Sequence, residues 1–483
     1  MYLYKRYKEI PYQAKAAFWF LVCSFLQKGI TMITTPIFTR LLTTEEYGMF
    51  SVFNSWYTIL FSFLTLSLCY GVFSQAVIKF ENDRNDYIVS MQGLNLFLII
   101  FWGIIYFVGK DFWNEQFRLT TIQMVSLFVM CWSTASFTFW TVDQRTEYKY
   151  IKLVIVTLIF SLSKPILGII LVIGSTDKVT ARIVGLAIVE VVVAIYCFIT
   201  HYKKSNKIIN LKYWKYALIF SIPLVPHYLS QNVLSNSDRI MIERMDNADN
   251  AGIYSIAYSA SMIMVVFNQA LGMTVSPWMF RKIKNKQYQE IAPIAYLSLS
   301  FIAAVNIALI ALAPEIVKIF APNEYYEARW AIPPVAMSSY YIFMYDYFSR
   351  FEFYYEKTVK IMLASIGGAV LNIILNYICI PKWGYIAAAY TTLICYIIYV
   401  ITHYLFMKSI CKEQNITERI YDIKKIVFLS VVFMITGFCL MITYDYVYIR
   451  YLLIIIMFIV AYVNRNAIIN IIKSFLALKK NSQ

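Results

Sequence analysis

Charge is scarce in this sequence. Asp, Glu, Lys and Arg make up 14% of the 483 residues, against 60% hydrophobic residues and a mean hydropathy of +0.61. Soluble domains carry roughly a quarter of their residues as charge, so a soluble enzyme is excluded. Histidine is scarcer still: the three residues stand far apart and offer no ligand set for a metal centre. The eight cysteines form no CxxC and no paired spacing, and most lie within apolar runs. They read as small apolar fillers, not as a disulfide framework. Acidic residues number 27 against 43 basic ones, for a net charge of +16. That excess would suit nucleic acid if it were clustered, but it is spread over short segments between apolar stretches. Long loops are missing as well. The longest connection is 408–425, so no segment is long enough to fold as a separate catalytic domain.

What is present is apolar helix. At roughly 20 residues per crossing, about fourteen transmembrane helices are expected. They lie near 16–38, 47–70, 88–109, 119–141, 151–174, 180–200, 214–236, 251–275, 292–314, 328–349, 359–380, 384–407, 424–443 and 447–463. The first follows a basic N-terminus with no small-residue cleavage site, and is expected to be retained. With that terminus cytoplasmic, alternate connections and both ends carry 30 Lys and Arg, and the remaining connections carry 11. This positive-inside bias places both termini in the cytoplasm. Some of the basic residues are expected to meet anionic lipid headgroups.

One loop is written twice. Residues 40–55 (RLLTTEEYGMFSVFNS) lie over 244–259 (RMDNADNAGIYSIAYS), with Arg, Gly and two Ser identical at an offset of 204. That offset equals six spans. The expected organisation is therefore a lobe of six helices over 1–209, a second over 210–408, and two further helices with a cytoplasmic tail over 409–483. Six is even, so both copies share one orientation across the membrane. Parallel repeats of this kind mark transporters with alternating access.

Polar residues fall on faces. Ser24, Lys28, Thr31, Thr35 and Thr39 share one side of the first helix. Ser51, Ser55, Thr58, Ser62, Thr65 and Cys69 share one side of the second. Such a stripe either lines a watery cavity or glues packed helices together. The lysine favours lining for the first helix; the second stays open. Charges at membrane depth point to function, and three stand near the midplane: Lys28, Lys164 and Glu190. Lys164 and Glu190 sit at matching depth on consecutive helices and can pair. Lys28 is then the candidate cation for an anionic substrate, and Glu190 the candidate for a coupling proton or sodium ion. The seventh span holds Pro223, Pro226, His227, Ser230 and Gln231. Two prolines imply a kink or break that frees backbone groups for a ligand. Asp346, Arg350 and Glu352 are expected as an inner-face salt-bridge cluster. Arg40, Glu45, Asp238, Arg239 and Arg244, at the repeated loops, read as helix caps with surface pairs or as an outer gate closed by charge pairs.

Three segments resemble a known family: 35–48 (TPIFTRLLTTEEYG); 223–226 (PLVP) with 238–242 (DRIMI) and 251–258 (AGIYSIAY); and 372–389 (NIILNYICIPKWGYIAAA). They are similar to the polysaccharide flippases of the multidrug/oligosaccharidyl-lipid/polysaccharide superfamily. The resemblance implies a two-lobed transporter of fourteen helices in the bacterial plasma membrane. It would move an undecaprenyl-diphosphate-linked oligosaccharide from the inner to the outer leaflet, for O-antigen, capsule or a related polymer. It also implies a cationic cavity for diphosphate and sugars, and the polysaccharide polymerase machinery as a partner. Lys28, Lys164, Ser24, Thr31, His227 and Gln231 are the expected substrate-binding residues. The sister family of cation-coupled multidrug antiporters usually has twelve spans and an acidic residue in the first helix. Here that helix carries Lys28 and no carboxylate within the apolar run. A membrane polymerase needs a sizeable outer loop, which is missing.

Overall fold

Why the chain folds into helices is clearest at the repeated loop. Thr43 and Asn247, 204 residues apart, are both helix N-caps. The Thr43 hydroxyl accepts from the Glu46 amide at 3.2 Å, and the Asn247 side chain accepts from the Asn250 amide at 2.8 Å. Each satisfies a backbone donor that the first helical turn leaves unpaired. Ser51 and Ser255, also 204 apart, donate to the carbonyls of Tyr47 and Ala251 at 2.8 and 2.7 Å. The repeat seen in sequence is thus a repeat of hydrogen bonds.

The computed structural model describes residues 11–463, and among these there is no strand. The helices are α1 Tyr12–Leu41, α2 Thr44–Leu64, α3 Val72–Lys79, α4 Arg84–Val108, α5 Lys110–Phe117, α6 Thr121–Thr146, α7 Tyr150–Ile173, α8 Lys178–Tyr202, α9 Leu211–Ser221, α10 Val225–Met245, α11 Ala248–Lys284, α12 Ile291–Ala311, α13 Ala313–Phe320, α14 Ile332–Tyr354, α15 Thr358–Trp383, α16 Tyr385–Glu413, α17 Ile423–Ile442 and α18 Val447–Val463. The all-α membrane fold is as expected. Among the described residues ten helices are long and apolar enough to cross a membrane, which leaves the count of fourteen crossings open. The other four expected spans coincide with α2, α9–α10, α14 and α18. Three of these carry charge or many hydroxyls, and α18 has only 17 residues. The terminal basic segments and the tail expected in the cytoplasm lie partly outside the described residues.

Contacts divide the chain into two units, 1–240 and 241–483. In the first, α8 packs against α6 and α7, and a phenylalanine-rich core forms around Phe53, Phe73 and Phe139. The chain after residue 209 stays with this unit. Trp214 of α9 donates to the Ser90 carbonyl at 2.9 Å, and Asn232 of α10 donates to Ser62 at 2.6 Å. The packing boundary therefore falls one expected span later than the repeat boundary at 209, after α9 and most of α10. In the second unit α16 packs against α14 and α15, and α17 lies on α12. Arg450 of α18 pairs with Glu315 of α13.

The expected break in the seventh span is present. α9 ends at Ser221, a 3-10 turn covers Ile222–Leu224, and α10 starts at Val225. Pro223 and Pro226 lack the amide donors that would carry an α-helix through.

Candidate functional site

A cavity of about 340 Å³, lined by aromatic rings, hydroxyls and carboxamides, lies within the first unit. α2 contributes Tyr57, Thr58, Phe61 and Ser62, the turn after it Tyr70, α6 Thr134, and α10 Tyr228, Gln231 and Asn232. The rings of Tyr70 and Tyr228 stand 5.8 Å apart. Asn232 is held by Ser62 at 2.6 Å and by the Thr58 carbonyl at 3.3 Å. Carboxamides fixed in this way, beside flat aromatic faces, can hydrogen-bond and stack on a polyhydroxylated ring.

Behind one wall runs a chain of hydrogen bonds. The Tyr57 hydroxyl meets Thr134 at 2.7 Å, and Thr134 donates to Glu190 at 3.1 Å. The other oxygen of Glu190 accepts from Lys164 at 2.6 Å. Glu190 is 3% exposed and Lys164 28%, and the ammonium sits 4.2 Å from the Phe160 ring centre. The two midplane charges thus pair as expected, and they connect to the cavity through a hydroxyl relay.

Of the expected substrate-binding residues, Gln231 lines the cavity. His227 stands one residue from lining Tyr228, with ring centres 5.4 Å apart. Lys28 is half-buried on α1. Ser24 and Thr31 donate to carbonyls of their own helix, Phe20 at 3.0 Å and Gln27 at 3.2 Å. The stripe on α2 divides: Ser51, Ser55 and Thr65 are buried in packing, while Thr58 and Ser62 line the cavity. Tyr57, Tyr70, Tyr228, Asn232 and Thr134 were not anticipated, although a tyrosine or amide inside an apolar run was a usable signal.

Among the residues considered for an outer gate, Arg40 donates to the Pro36 carbonyl at 2.8 Å. Glu45 and Arg244 are exposed, and Asp238 and Arg239 are buried in α10. In each unit the loop is also tied to the start of a later helix. Lys178 of α8 donates to the Leu41 carbonyl at 3.0 Å, and the Tyr385 amide of α16 donates to Asp246 at 3.2 Å.

Two buried clusters escaped the sequence reading. Asp143, fully buried, accepts from Arg84 at 2.6 Å and lies 3.4 Å from both His201 and Lys204. In the second unit Asp346 pairs with Arg350 as expected, but Glu352 does not join them. Its carboxylate lies 2.6 Å from His403. Correcting that assignment needed the fold, because 51 residues separate the partners.

These features define an all-α, multi-pass membrane fold, and solved structures share it. The "Lipid II flippase MurJ, inward closed conformation" is similar with a TM-score of 0.66 at 16% identity, covering 92% of this chain and 99% of that one. An inward-facing multidrug resistance MATE family transporter of the MOP superfamily is similar at a TM-score of 0.62 and 13% identity, covering 81% and 96%. In sequence, residues 14–283 match the polysaccharide biosynthesis protein family and residues 223–378 the MatE family. The chain belongs to the polysaccharide biosynthesis protein family. The "Lsg locus putative protein 1" of Haemophilus influenzae is 22% identical over 369 residues, covering 73% of this chain and 88% of that protein.

Proposed function

We propose that this protein flips an undecaprenyl-diphosphate-linked oligosaccharide repeat unit from the inner to the outer leaflet of the bacterial plasma membrane, for a surface polysaccharide such as O-antigen or capsule. The observation that carries this reading is the cavity of tyrosines, carboxamides and hydroxyls in the first unit. Its lining suits neutral sugar rings, and among the described residues it includes no carboxylate that would repel a diphosphate. Lys28 serves as the cation for the phosphates, with Lys164 adding positive field from beside Glu190. Ser24, Thr31, His227 and Gln231 complete the expected sugar-facing set. The protein performs no bond chemistry; it exposes the cavity to each side in turn. Arg40, Glu45, Asp238, Arg239 and Arg244 close the outer side by charge pairing. Both termini lie in the cytoplasm, and the polymerase machinery takes the product.

The test follows radiolabelled lipid-linked sugars in a strain depleted of this protein. The expected result is single repeat units trapped on the cytoplasmic leaflet, with surface polymer lost. Units that reach the outer leaflet but stay unpolymerised would point to an enzyme acting later. Unaltered sugar lipids would favour the multidrug antiporter reading, to which the match with the MatE family lends weight. In the same assay Lys28→Ala should abolish rescue while the protein stays in the membrane. Normal polymer in that variant would remove Lys28 from the site.

A further inference from the structure

The two buried histidine–carboxylate clusters have the same architecture and different charge. In the first unit the pair joins the C-terminal ends of α6 and α8; in the second it joins the C-terminal end of α14 to the C-terminal half of α16. Asp143 faces Arg84 and Lys204 besides His201, so its negative charge is compensated whatever the imidazole does. Glu352 has no such company. Its carboxylate and His403 are both 1% exposed or less, 2.6 Å apart. Glu352 Oε2 and His403 Nε2 have no hydrogen-bond partner among the described residues.

Several of the charges at this end are committed elsewhere. Lys360 of α15 acts on Glu352 at a distance, but its ammonium is held by Glu413 at 2.8 Å and Ser409 at 2.9 Å. Lys357 also pairs with Glu413, Arg350 with Asp346, Lys282 at the end of α11 with Glu290, and Arg419 before α17 with Asp422. Tyr345 and Tyr399 cover the imidazole, with ring centres 5.2 and 4.5 Å away. The tyrosines supply no charge.

With one shared proton the Glu352–His403 pair is neutral. Without it, a bare carboxylate would stand buried beside a neutral ring, and burying an uncompensated charge is strongly unfavourable. The closed site therefore keeps its proton, and the proton leaves when the helix ends part and water enters. We propose that Glu352 and His403 form a proton-binding site whose occupancy is coupled to opening of the α14–α16 ends, and that Asp143–His201 is its fixed, non-titrating counterpart. The proton comes from bulk water and returns to it, and only an N–H or O–H bond is made or broken. This deepens the transport reading by naming a coupling site, since Glu190 is already held by Lys164.

The experiment needs no transported substrate, so it is independent of whether flipping is the right function. Amide hydrogen exchange is measured on the purified full chain in nanodiscs between pH 6 and 8.5, corrected for intrinsic chemical exchange. If opening releases one proton, the opening constant for the α14 and α16 ends rises towards about tenfold per pH unit. The same segments of α6 and α8 stay flat. Glu352→Gln has no proton to release and loses the slope. His403→Gln keeps the carboxyl group, so the slope persists with its midpoint displaced, which covers the case in which Glu352→Gln fails to fold. A flat wild-type profile, an undiminished slope in a folded Glu352→Gln protein, or an unmoved midpoint in His403→Gln would each overturn the proposal.

Discussion

Lys164 and Glu190 show what a single residue can and cannot reveal from sequence. A charge inside an apolar run is visible at once, because the membrane interior offers it no solvation. Both residues are located that way, and their matching depth anticipates the pair. Asp143, His201, Glu352 and His403 are more deeply buried but less conspicuous, since all but His403 sit near helix ends where charge is unremarkable. Their partners arrive from distant parts of the chain: Arg84 and His201 lie 59 and 58 residues from Asp143. Only the fold brings them together. Breaking a buried pair from one side is costly because the other charge is left behind, by about 3–5 kcal/mol for a fully buried pair. Lys164 retains some exposure, so Glu190→Gln should cost less, about 2 kcal/mol. The paired change Lys164→Met with Glu190→Gln should cost less again. Thermal unfolding of the three proteins in one detergent checks the order. A double variant worse than Glu190→Gln would show that the pair is not the main role of Lys164.

At the scale of elements, apolar runs and their punctuation carry most of the information. The proline pair foretells the break between α9 and α10, and the repeated loop foretells two equivalent caps. The less apolar spans were harder to judge. α14 carries Asp346, Arg350 and Glu352 yet is largely buried, and only its helical neighbours make those residues tolerable. The α2 stripe could not be assigned to packing or lining because it does both. The caps offer a direct comparison. Thr43→Ala and Asn247→Ala should each lower stability by about 1 kcal/mol. Each cap bond is local to its own helix start, so the losses should add. Melting temperatures of the two single variants and the double variant measure this. A loss at one cap alone would mean that the shared geometry hides unequal contributions.

For the whole molecule, composition was enough to indicate an all-α membrane protein, and the 204-residue offset to indicate two related halves. The packing boundary at 240 was not legible. Internal similarity records which segments correspond, whereas contacts record which segments touch, and α9 with most of α10 touches the first unit. Orientation rests on the uneven spread of Lys and Arg, and cysteine labelling can test it. With the exposed Cys439 replaced by Ser, Thr176→Cys should react with a membrane-impermeant maleimide in intact cells. Asn206→Cys should react only after permeabilisation. The reverse pattern would invert the topology.

The matched turns at Thr43 and Asn247 have a consequence for ancestry. With six crossings per half, the number that the 204-residue offset implies, a half begins and ends on the same side, so a second copy joined behind it enters the membrane the same way up. A self-pairing ancestor of this kind needs no dual insertion, and fusing two copies demands only a short connector. Residues 203–210 are such a connector, anchored to α4 through Lys207 and Asp86 at 2.6 Å. The halves differ in their buried pairs: one histidine–carboxylate pair has cations beside it and the other does without.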